Sequence, residues 1–296
     1  MIDLHSHTTE SDGSLSPVEL IGLARAIGLE ALAITDHDTL SGFEQASPLA
    51  VELDLDLVCG IEMSTKFDSR SVHLIGYFLD GEPGACFRNW ILGLQASRHA
   101  RNQELLEKLK TYGIEIAPED LQQQGTPLPG RPHIAKLMVD RGYVDSMQQA
   151  FDDYLDESAC CYIPRGEPSL AEAIERIRLG GGVSSLPHPG RVTRDSRKLG
   201  ELLRGMRDAG LSAIEAFHSE HSPAEVSLYV SLAAELGLSV SGGSDFHGAT
   251  KPGIELGTGK GGNLCIPHSV LEGLRLLPSQ ARIPSSSILD SSPKND

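Results

Sequence analysis

The chain has 296 residues, enough to bury one large core, and 40% of them are hydrophobic, as in an ordinary globular protein. Its formal net charge of −16, from 25 basic and 41 acidic residues, argues against broad electrostatic binding to a long nucleic-acid track or an anionic membrane. The five cysteines, Cys59, Cys86, Cys160, Cys161 and Cys265, are irregularly spaced and give no disulfide framework or zinc ribbon, so they read as reduced thiols, mostly core filler.

An apolar run over 2–5 predicts the first strand. It ends in His5 and His7, with Asp12 in the loop that follows. "LSPVEL" then starts a helix: Ser16 caps it, Pro17 takes the first turn, Glu19 completes a capping box, and Gly28 stops it. Residues 31–35 predict a second strand that ends in "TDHD", with Asp36 and His37. Residues 57–60 predict a third, running into "GIEMS" and Glu62, and 72–78 a fourth that carries His73. Several of these are continuous apolar runs, as expected of strands buried on both faces of a parallel sheet.

From about 81 to 182 the rhythm breaks. No strand pattern is found there, and helical patterns cover 85–112, 132–141, 146–155 and 169–179. Strands resume at 183–186, followed by "LPHPGR" and His188. The next, 213–217, lies in "IEAFHSEH", with Glu215, His218 and His221. "HSPAEV" repeats the capping device with Ser222, Pro223 and Glu225, and Gly237 ends that helix. The last strand, 238–242, runs into "SGGSDFHG", with Asp245 and His247. The end, "PSSSILDSSPKND", is Ser/Pro-rich and reads as disordered.

Repeated strand–helix units with short loops predict an α/β fold, a barrel or a doubly wound sheet. The expected division is an α/β body over 1–80 and 183–283, a helical insertion over 81–182 that binds substrate, and a disordered tail over 284–296. No charged-then-apolar leader precedes the first strand, and no apolar stretch is long enough to span a bilayer, so a cytoplasmic location is expected.

Imidazoles and carboxylates thus recur at strand ends, where barrels carry their active sites. Such groups are costly to bury without partners, and they suit zinc, manganese and iron. His5 and His7, two apart in a strand, share a face. No single pair decides the matter, and an isolated His73 or His188 would be an ordinary structural histidine. Together they predict a metal cluster at a barrel mouth. The rival reading is a polar mouth without metal.

The stretches "DLHSHTTESDGSLSP", "AITDHD", "GIEMS", "VHLIGY", "HPGR" and "SGGSDFHG", in that order, resemble the motifs of the PHP (polymerase and histidinol phosphatase) family. The resemblance implies a distorted seven-stranded (β/α)7 barrel with three divalent ions, Mn2+ first and Fe2+ or Zn2+ as alternatives. It implies one ion on His5, His7, Glu62 and Asp245, a second on Asp12, His37 and His247, and a third on Glu62, His73 and His188, with Glu62 bridging. Asp12, His37, Glu62, Asp245 and His247 are then the catalytic set, arranged so that a metal-bridging hydroxide attacks phosphorus in line. Three divalent ions bring roughly +6 and the three carboxylates with the hydroxide remove about four, leaving a pocket matched to a phosphate dianion.

Two stretches of the helical segment point to a substrate. In "SRHARNQELLEKL", Arg98 and Arg101 stand at i and i+3 and share a helix face. "PGRPHIAKLMV" places Arg131 and His133 at a helix start, where backbone amides favour anions. Arginine suits bidentate phosphate contact, although arginines on helices are ordinarily solvated. "GRPHIAKLMVDRG" resembles the PHP branch that removes the 3'-phosphate from 3',5'-bisphosphate nucleotides such as pAp, related members of which trim RNA from its 5' end. The resemblance implies arginines on the 5'-phosphate while the metals cut at the 3' side. "HSEHS" resembles a stretch near the substrate in relatives, which makes His221 a substrate-side candidate.

The expected activity is therefore a metal-dependent phosphoesterase converting pAp to AMP, with trimming of short 5'-phosphorylated RNA as a second activity. The expected partner is a nucleotide bisphosphate or a short RNA 5' end. Histidinol-phosphate phosphatase, C–N hydrolysis and a non-catalytic metal-binding module are the alternatives. The residues leave open whether His218 or His221 protonates the leaving oxygen, and they do not give the oligomeric state.

Overall fold

The computed structural model describes residues 1–67, 70–122, 126–164 and 166–277. The Ser/Pro-rich end expected to be disordered lies outside the described residues. Seven strands form one sheet in chain order: β1 (Ile2–Asp3), β2 (Ala31–Ile34), β3 (Asp56–Phe67), β4 (Arg70–Phe78), β5 (Val183–Leu186), β6 (Ala213–His218) and β7 (Ser239–Gly243). Neighbours are parallel except at β4, which runs antiparallel to both β3 and β5.

Past the end of β1 the chain meets the continuation of β7. Leu4 N–H donates to the Gly242 carbonyl (3.1 Å), Asp245 N–H to His5 (2.9 Å) and His7 N–H to Phe246 (2.9 Å). The sheet thereby curls into a nearly closed barrel. Gly243 sits on this seam, and a Cβ there would stand 2.1 Å from the Cβ of His5 and 2.3 Å from its backbone nitrogen. Only a residue without a side chain lets the two backbones come that close.

β3 extends far beyond the expected 57–60. Its second half pairs with β4 from Cys59↔Phe78 to Phe67↔Arg70. Glu62, Ser64 and Lys66 interrupt the apolar run there, so the pattern of a buried parallel strand stops while the ladder continues. The antiparallel β4 also accounts for how His73, carried within the fourth strand as expected, joins residues from its neighbours' ends. It lies near the start of β4, opposite Ser64, and reaches the mouth because a reversed strand brings its amino half to its neighbours' carboxyl ends.

Helices α1 (Pro17–Ala26) and α2 (Ser41–Glu52) flank the first strands, with Leu20, Ile21, Ala46 and Ala50 packed on Leu32 and Ile34. The expected capping box is present: Glu19 N–H donates to Ser16 Oγ (3.3 Å) and Ser16 N–H to Glu19 Oε2 (2.8 Å). Between β4 and β5 lie α3 (Ala85–Lys110), α4 (Pro118–Gln122), α5 (Arg131–Asp140), α6 (Met147–Ala150) and α7 (Leu170–Leu179). The helix expected over 146–155 starts at its cap, Ser146, but after α6 it widens into a π turn, Phe151–Leu155.

α3 joins two cores. Its first half buries Phe87 and Ile91 against the barrel, while Leu105, Leu106 and Leu109 pack with Ile134 and Met138 of α5 in a separate cluster. At 26 residues it spans about 39 Å, so one rigid element sets the helical segment over the barrel mouth. α7, read as part of the insertion, buries Ala173, Ile174 and Ile177 in the barrel core.

After β5 come α8 (Pro189–Val192), α9 (Ser196–Asp208) and, after β6, α10 (Pro223–Leu236). Ser222 and Glu225 form the second expected capping box, and Gly237 ends α10 at φ +67°. α9 escaped the sequence reading although Asp195 caps it and Leu199, Leu203 and Met206 form its buried stripe. A two-stranded ladder, β8 (Ile254–Glu255) and β9 (Gly259–Lys260), precedes α11 (His268–Arg275).

The cysteines are all free, but only Cys59 and Cys161 are buried. Cys86, Cys160 and Cys265 are exposed, which corrects the reading of most of them as core filler. Among the described residues no helix is long and apolar enough to cross a membrane.

Candidate metal centre

Glu62 is the centre of the site. β2 and β3 fix it: Glu62 N–H lies 3.1 Å from the Thr35 carbonyl and 3.2 Å from that of Asp36. Its buried carboxylate divides its oxygens between two groups of imidazoles. Oε1 faces His188 Nε2 (2.9 Å) and His73 Nδ1 (3.0 Å). Oε2 faces His7 Nε2 (3.2 Å), His5 Nε2 (3.3 Å) and His37 Nδ1 (3.4 Å). Asp245 Oδ1 stands 3.5 Å from His5 Nε2 and 3.5 Å from His247 Nδ1. Asp12 stands 3.4 Å from His247, 3.5 Å from His7 and 3.8 Å from His37. The residues expected from the resemblance to hold metal thus converge at the mouth from separate strands.

The electrostatics follow from this crowding. Burial alone would raise Glu62, Asp245 and Asp12, but the surrounding imidazoles hold all three well below the usual carboxylate range. Burial also opposes charge on His5, yet Glu215, Glu62 and Asp245 outweigh it and raise its pKa well above normal. His73 is raised against the same opposition, by Glu62. For His37 and His188 burial wins and pushes both down to about 4, so they are neutral near pH 7.

The donor set fits divalent ions. His188 Nδ1 is buried with no hydrogen-bond partner, while His7 Nε2 and His37 Nδ1, also buried, lie 3.2 and 3.4 Å from Glu62 Oε2 without the geometry of a hydrogen bond. An orphaned buried nitrogen costs about 1–3 kcal/mol, and a metal ion would satisfy it. His7, Asp12, His37 and His247 offer donor atoms within 4.8 Å of one another, as do His5, His7 and Asp245. Glu62 does so with His5 and His188, and again with His37 and His73. This grouping differs from the expected sets in detail: His73 and His188 share Glu62 Oε1 but fall into different groups.

Around these donors lie residues the sequence reading left out of the site. Glu215, on β6, accepts from His5 Nδ1 (2.9 Å) and from His188 N–H (2.6 Å). It thereby turns His5 Nε2 toward the cluster. Burial would raise Glu215, but the neighbouring His5 outweighs it and holds it down to about 2. Asp36, pushed up to about 6 by burial, accepts from Thr8 N–H and hydroxyl (both 2.7 Å) and Ser11 Oγ (2.6 Å), and so fastens the loop that carries Asp12. Asp38 accepts from Ser64 N–H (2.8 Å). A carboxylate inside a predicted strand was the available signal for Glu215. Asp36 and Asp38 were visible in "TDHD" but could not be told from ligands.

Backbone strain is concentrated here. Among the described residues, the non-glycine positions with positive φ are Asp38 (57°), Asp54 (53°), His188 (31°) and Asp245 (58°), and three of them border the cluster. Each costs about 1–3 kcal/mol and persists only where the surroundings enforce it.

A cleft of about 270 Å³ opens beside the cluster, lined by Asp12, His37 and His73 and by Arg98, Arg101 and Arg131 of α3 and α5. Arg98 donates to Asp38 Oδ2 (2.9 Å) and to the Pro129 carbonyl (3.2 Å). Arg131 donates to the Leu155 carbonyl (3.1 Å) and lies 5.6 Å from the centre of the Tyr162 ring. His133 and His221 do not line this cleft. His133 Nδ1 accepts Gly130 N–H (3.1 Å) and caps α5. His221 donates from Nδ1 to the Ala216 carbonyl (2.9 Å), with Tyr229 against its ring. His218 instead joins the cluster, with Nε2 3.4 Å from Asp245 Oδ2.

Comparison with known proteins agrees with this geometry. The PHP domain model matches residues 3–121. The 5'-3' exoribonuclease Rnm of Escherichia coli K12 is 34% identical over 260 residues, which span 86% of this chain and 87% of that protein. This chain belongs to the PHP family. The 3',5'-nucleoside bisphosphate phosphatase of Chromobacterium violaceum is 30% identical over 258 residues, 86% of this chain and 90% of its own. A solved structure from Bifidobacterium adolescentis, described as a metal-dependent phosphoesterase, has a TM-score of 0.76 at 30% identity, covering 92% of this chain and 94% of its own.

One expectation for this PHP cluster concerns protons. His5 and His73, both raised above the ordinary imidazole range by the carboxylates around them, bind protons more tightly than free imidazoles, and a divalent ion competes with those protons. Adding Mn2+ to unbuffered metal-free protein will therefore release protons, and apparent affinity will weaken between about pH 8 and pH 6. Uptake of Mn2+ without proton release or pH dependence would contradict the cluster's role.

Proposed function

We propose that the protein hydrolyses the 3'-phosphate of 3',5'-bisphosphate nucleotides, converting pAp to AMP, and that the same site trims short 5'-phosphorylated RNA. At the coarser level the chain is a phosphoric-ester hydrolase of the metal-dependent PHP type. The observation that carries the finer reading is the shared cleft: Asp12, His37 and His73 of the donor cluster and three arginines of the helical segment line it together. The Rnm exoribonuclease and the bisphosphate phosphatase support it, because a 5'-phosphate is a group both kinds of substrate can present.

Divalent ions held by the nine residues named above would supply Lewis acidity to the phosphoryl oxygens and acidify a bound water. The chain's own contribution is position and charge. Glu215 sets the His5 tautomer, and Glu62, between two groups of imidazoles, holds them in register. Arg131 and Arg101 present guanidinium groups to an anion in the cleft, and Arg98, tied to Asp38, fixes α3 against the barrel. His218 accepts Glu220 N–H at Nδ1 (3.1 Å), so its proton sits on Nε2, facing Asp245. That favours His218 over His221 as the proton holder beside the leaving oxygen.

The test is phosphate release from pAp, 3'-AMP, 5'-AMP and histidinol phosphate, with and without Mn2+. Metal-dependent release from pAp yielding 5'-AMP is expected. Arg131→Ala should raise KM for pAp about tenfold or more, the loss of one charge-assisted hydrogen bond, and leave 3'-AMP unchanged. Release from histidinol phosphate alone would remove the nucleotide reading, and an unchanged pAp KM would remove Arg131 from it.

A further inference from the structure

Cys160 and Cys161 stand where they bear on the cleft. Their sulfurs are 3.7 Å apart. Cys160 is exposed, and Cys161 is buried in the core of the helical segment. Both hang on the π turn: Cys160 Sγ donates to the Asp153 carbonyl (3.2 Å) and Cys161 N–H to that of Tyr154 (3.1 Å). The same turn ends in Leu155, whose carbonyl accepts from Arg131 Nη1. The residue after the pair is Tyr162, whose ring lies against the Arg131 guanidinium. Arg131 therefore rests on two supports, one on each side of the cysteine pair in the chain.

We propose that Cys160 and Cys161 form an oxidation site, and that closing them into a disulfide displaces Arg131 and weakens binding of 5'-phosphorylated substrates. The second half of this rests on the reading of Arg131 given above. Consecutive Cα atoms are held about 3.8 Å apart, against about 4.4–6.8 Å in ordinary disulfides, so ring closure must distort the backbone between the two residues. That distortion passes directly to Tyr162 and to the π turn. A bond formed under such constraint is readily reduced, which makes the change reversible.

A peroxide is the oxidant. The exposed Cys160 thiolate attacks a peroxide oxygen, the O–O bond breaks, and Cys160 becomes a sulfenic acid as water leaves. The Cys161 sulfur then attacks the Cys160 sulfur, and the S–O bond breaks. A second water carries away the Cys161 proton. Two thiols are oxidised and one hydrogen peroxide is reduced to two waters. Cys160 reacts first because it alone meets solvent; burial pushes the Cys161 thiol up to about 12.

The experiment treats the full chain with hydrogen peroxide and reads intact mass, free thiols and kinetics. The expected result is loss of two hydrogens and two thiols, and a KM for pAp raised about tenfold with 3'-AMP unaffected, all restored by dithiothreitol. Cys160→Ser should show no two-hydrogen loss and keep its KM, and Cys161→Ala, whose Cys160 can gain oxygen but has no partner to close on, should likewise show no two-hydrogen loss and keep its KM. Loss of two hydrogens in Cys160→Ser, or a cross-linked wild type whose pAp KM is unchanged, would overturn the proposal. If the untreated protein does not act on pAp, the substrate reading fails, while mass and thiol count still decide whether the pair oxidises.

Discussion

Glu62→Gln is expected to lower kcat by about a thousandfold or more while the protein stays folded. The substitution keeps the shape of the side chain and removes its charge. Both carboxylate oxygens now face imidazole nitrogens, from 2.9 Å at His188 to 3.4 Å at His37. A neutral amide cannot serve two groups of donors at once, since one of its two ends carries hydrogens. The Lewis acidity at stake is worth several kcal/mol, and about 1.4 kcal/mol corresponds to each factor of ten.

The fold should survive, because the histidines respond to the change. His5 and His73 owe part of their raised pKa to Glu62. Without it they lose protons more readily, and the cluster sheds positive charge as it loses a negative one. Steady-state kinetics with metal analysis and thermal melting would check this. A variant that keeps full metal content and a kcat within tenfold of wild type would refute the central role given to Glu62.

Gly243→Ala should be the most damaging small substitution for stability. The added methyl would lie 2.1 Å from the His5 Cβ and 2.6 Å from its Cα, and neither can swing away because both belong to β1's continuation. Relief requires the β1–β7 seam to part, where Leu4, His7 and Asp245 donate their closing hydrogen bonds. Overpacking of this kind costs about 3 kcal/mol or more. For a chain of this size that is a fall in Tm of about 6–12 °C. Activity should fall with it, since the seam also aims His5 and Asp245. A melting temperature within two or three degrees of wild type, on the scale of about one kcal/mol, would show that the seam is looser than the geometry implies.

Much of the site was legible because its ligands follow strand ends in a fixed order. His5, His7, His37 and Asp245 each stand just after an apolar run, and a polar group there signals its position at a barrel mouth. His73 was legible as a residue but not as a position, because nothing in "VHLIGY" says that β4 is reversed. Glu215 was visible and left out of the site, because a carboxylate inside a strand reads equally as a ligand or as a ligand's support. Arg98, Arg101 and Arg131 were found by chemistry alone. Only the packing of α3 and α5 over the mouth shows that they share a cleft with Asp12, while His133 and His221 face elsewhere.

The sequence by itself determined the α/β class and the capped helices, since these depend on local periodicity and capping chemistry, while the seven-stranded barrel and the expected donor set came from the resemblance of its ordered motifs to the PHP family. Tertiary structure alone decided the direction of β4, the closure of β1 on β7 and the division of Glu62's two oxygens. It alone decided which arginines face the cluster and what the adjacent cysteines touch. Those features depend on contacts between residues far apart in the chain, and no local pattern records which distant groups will meet.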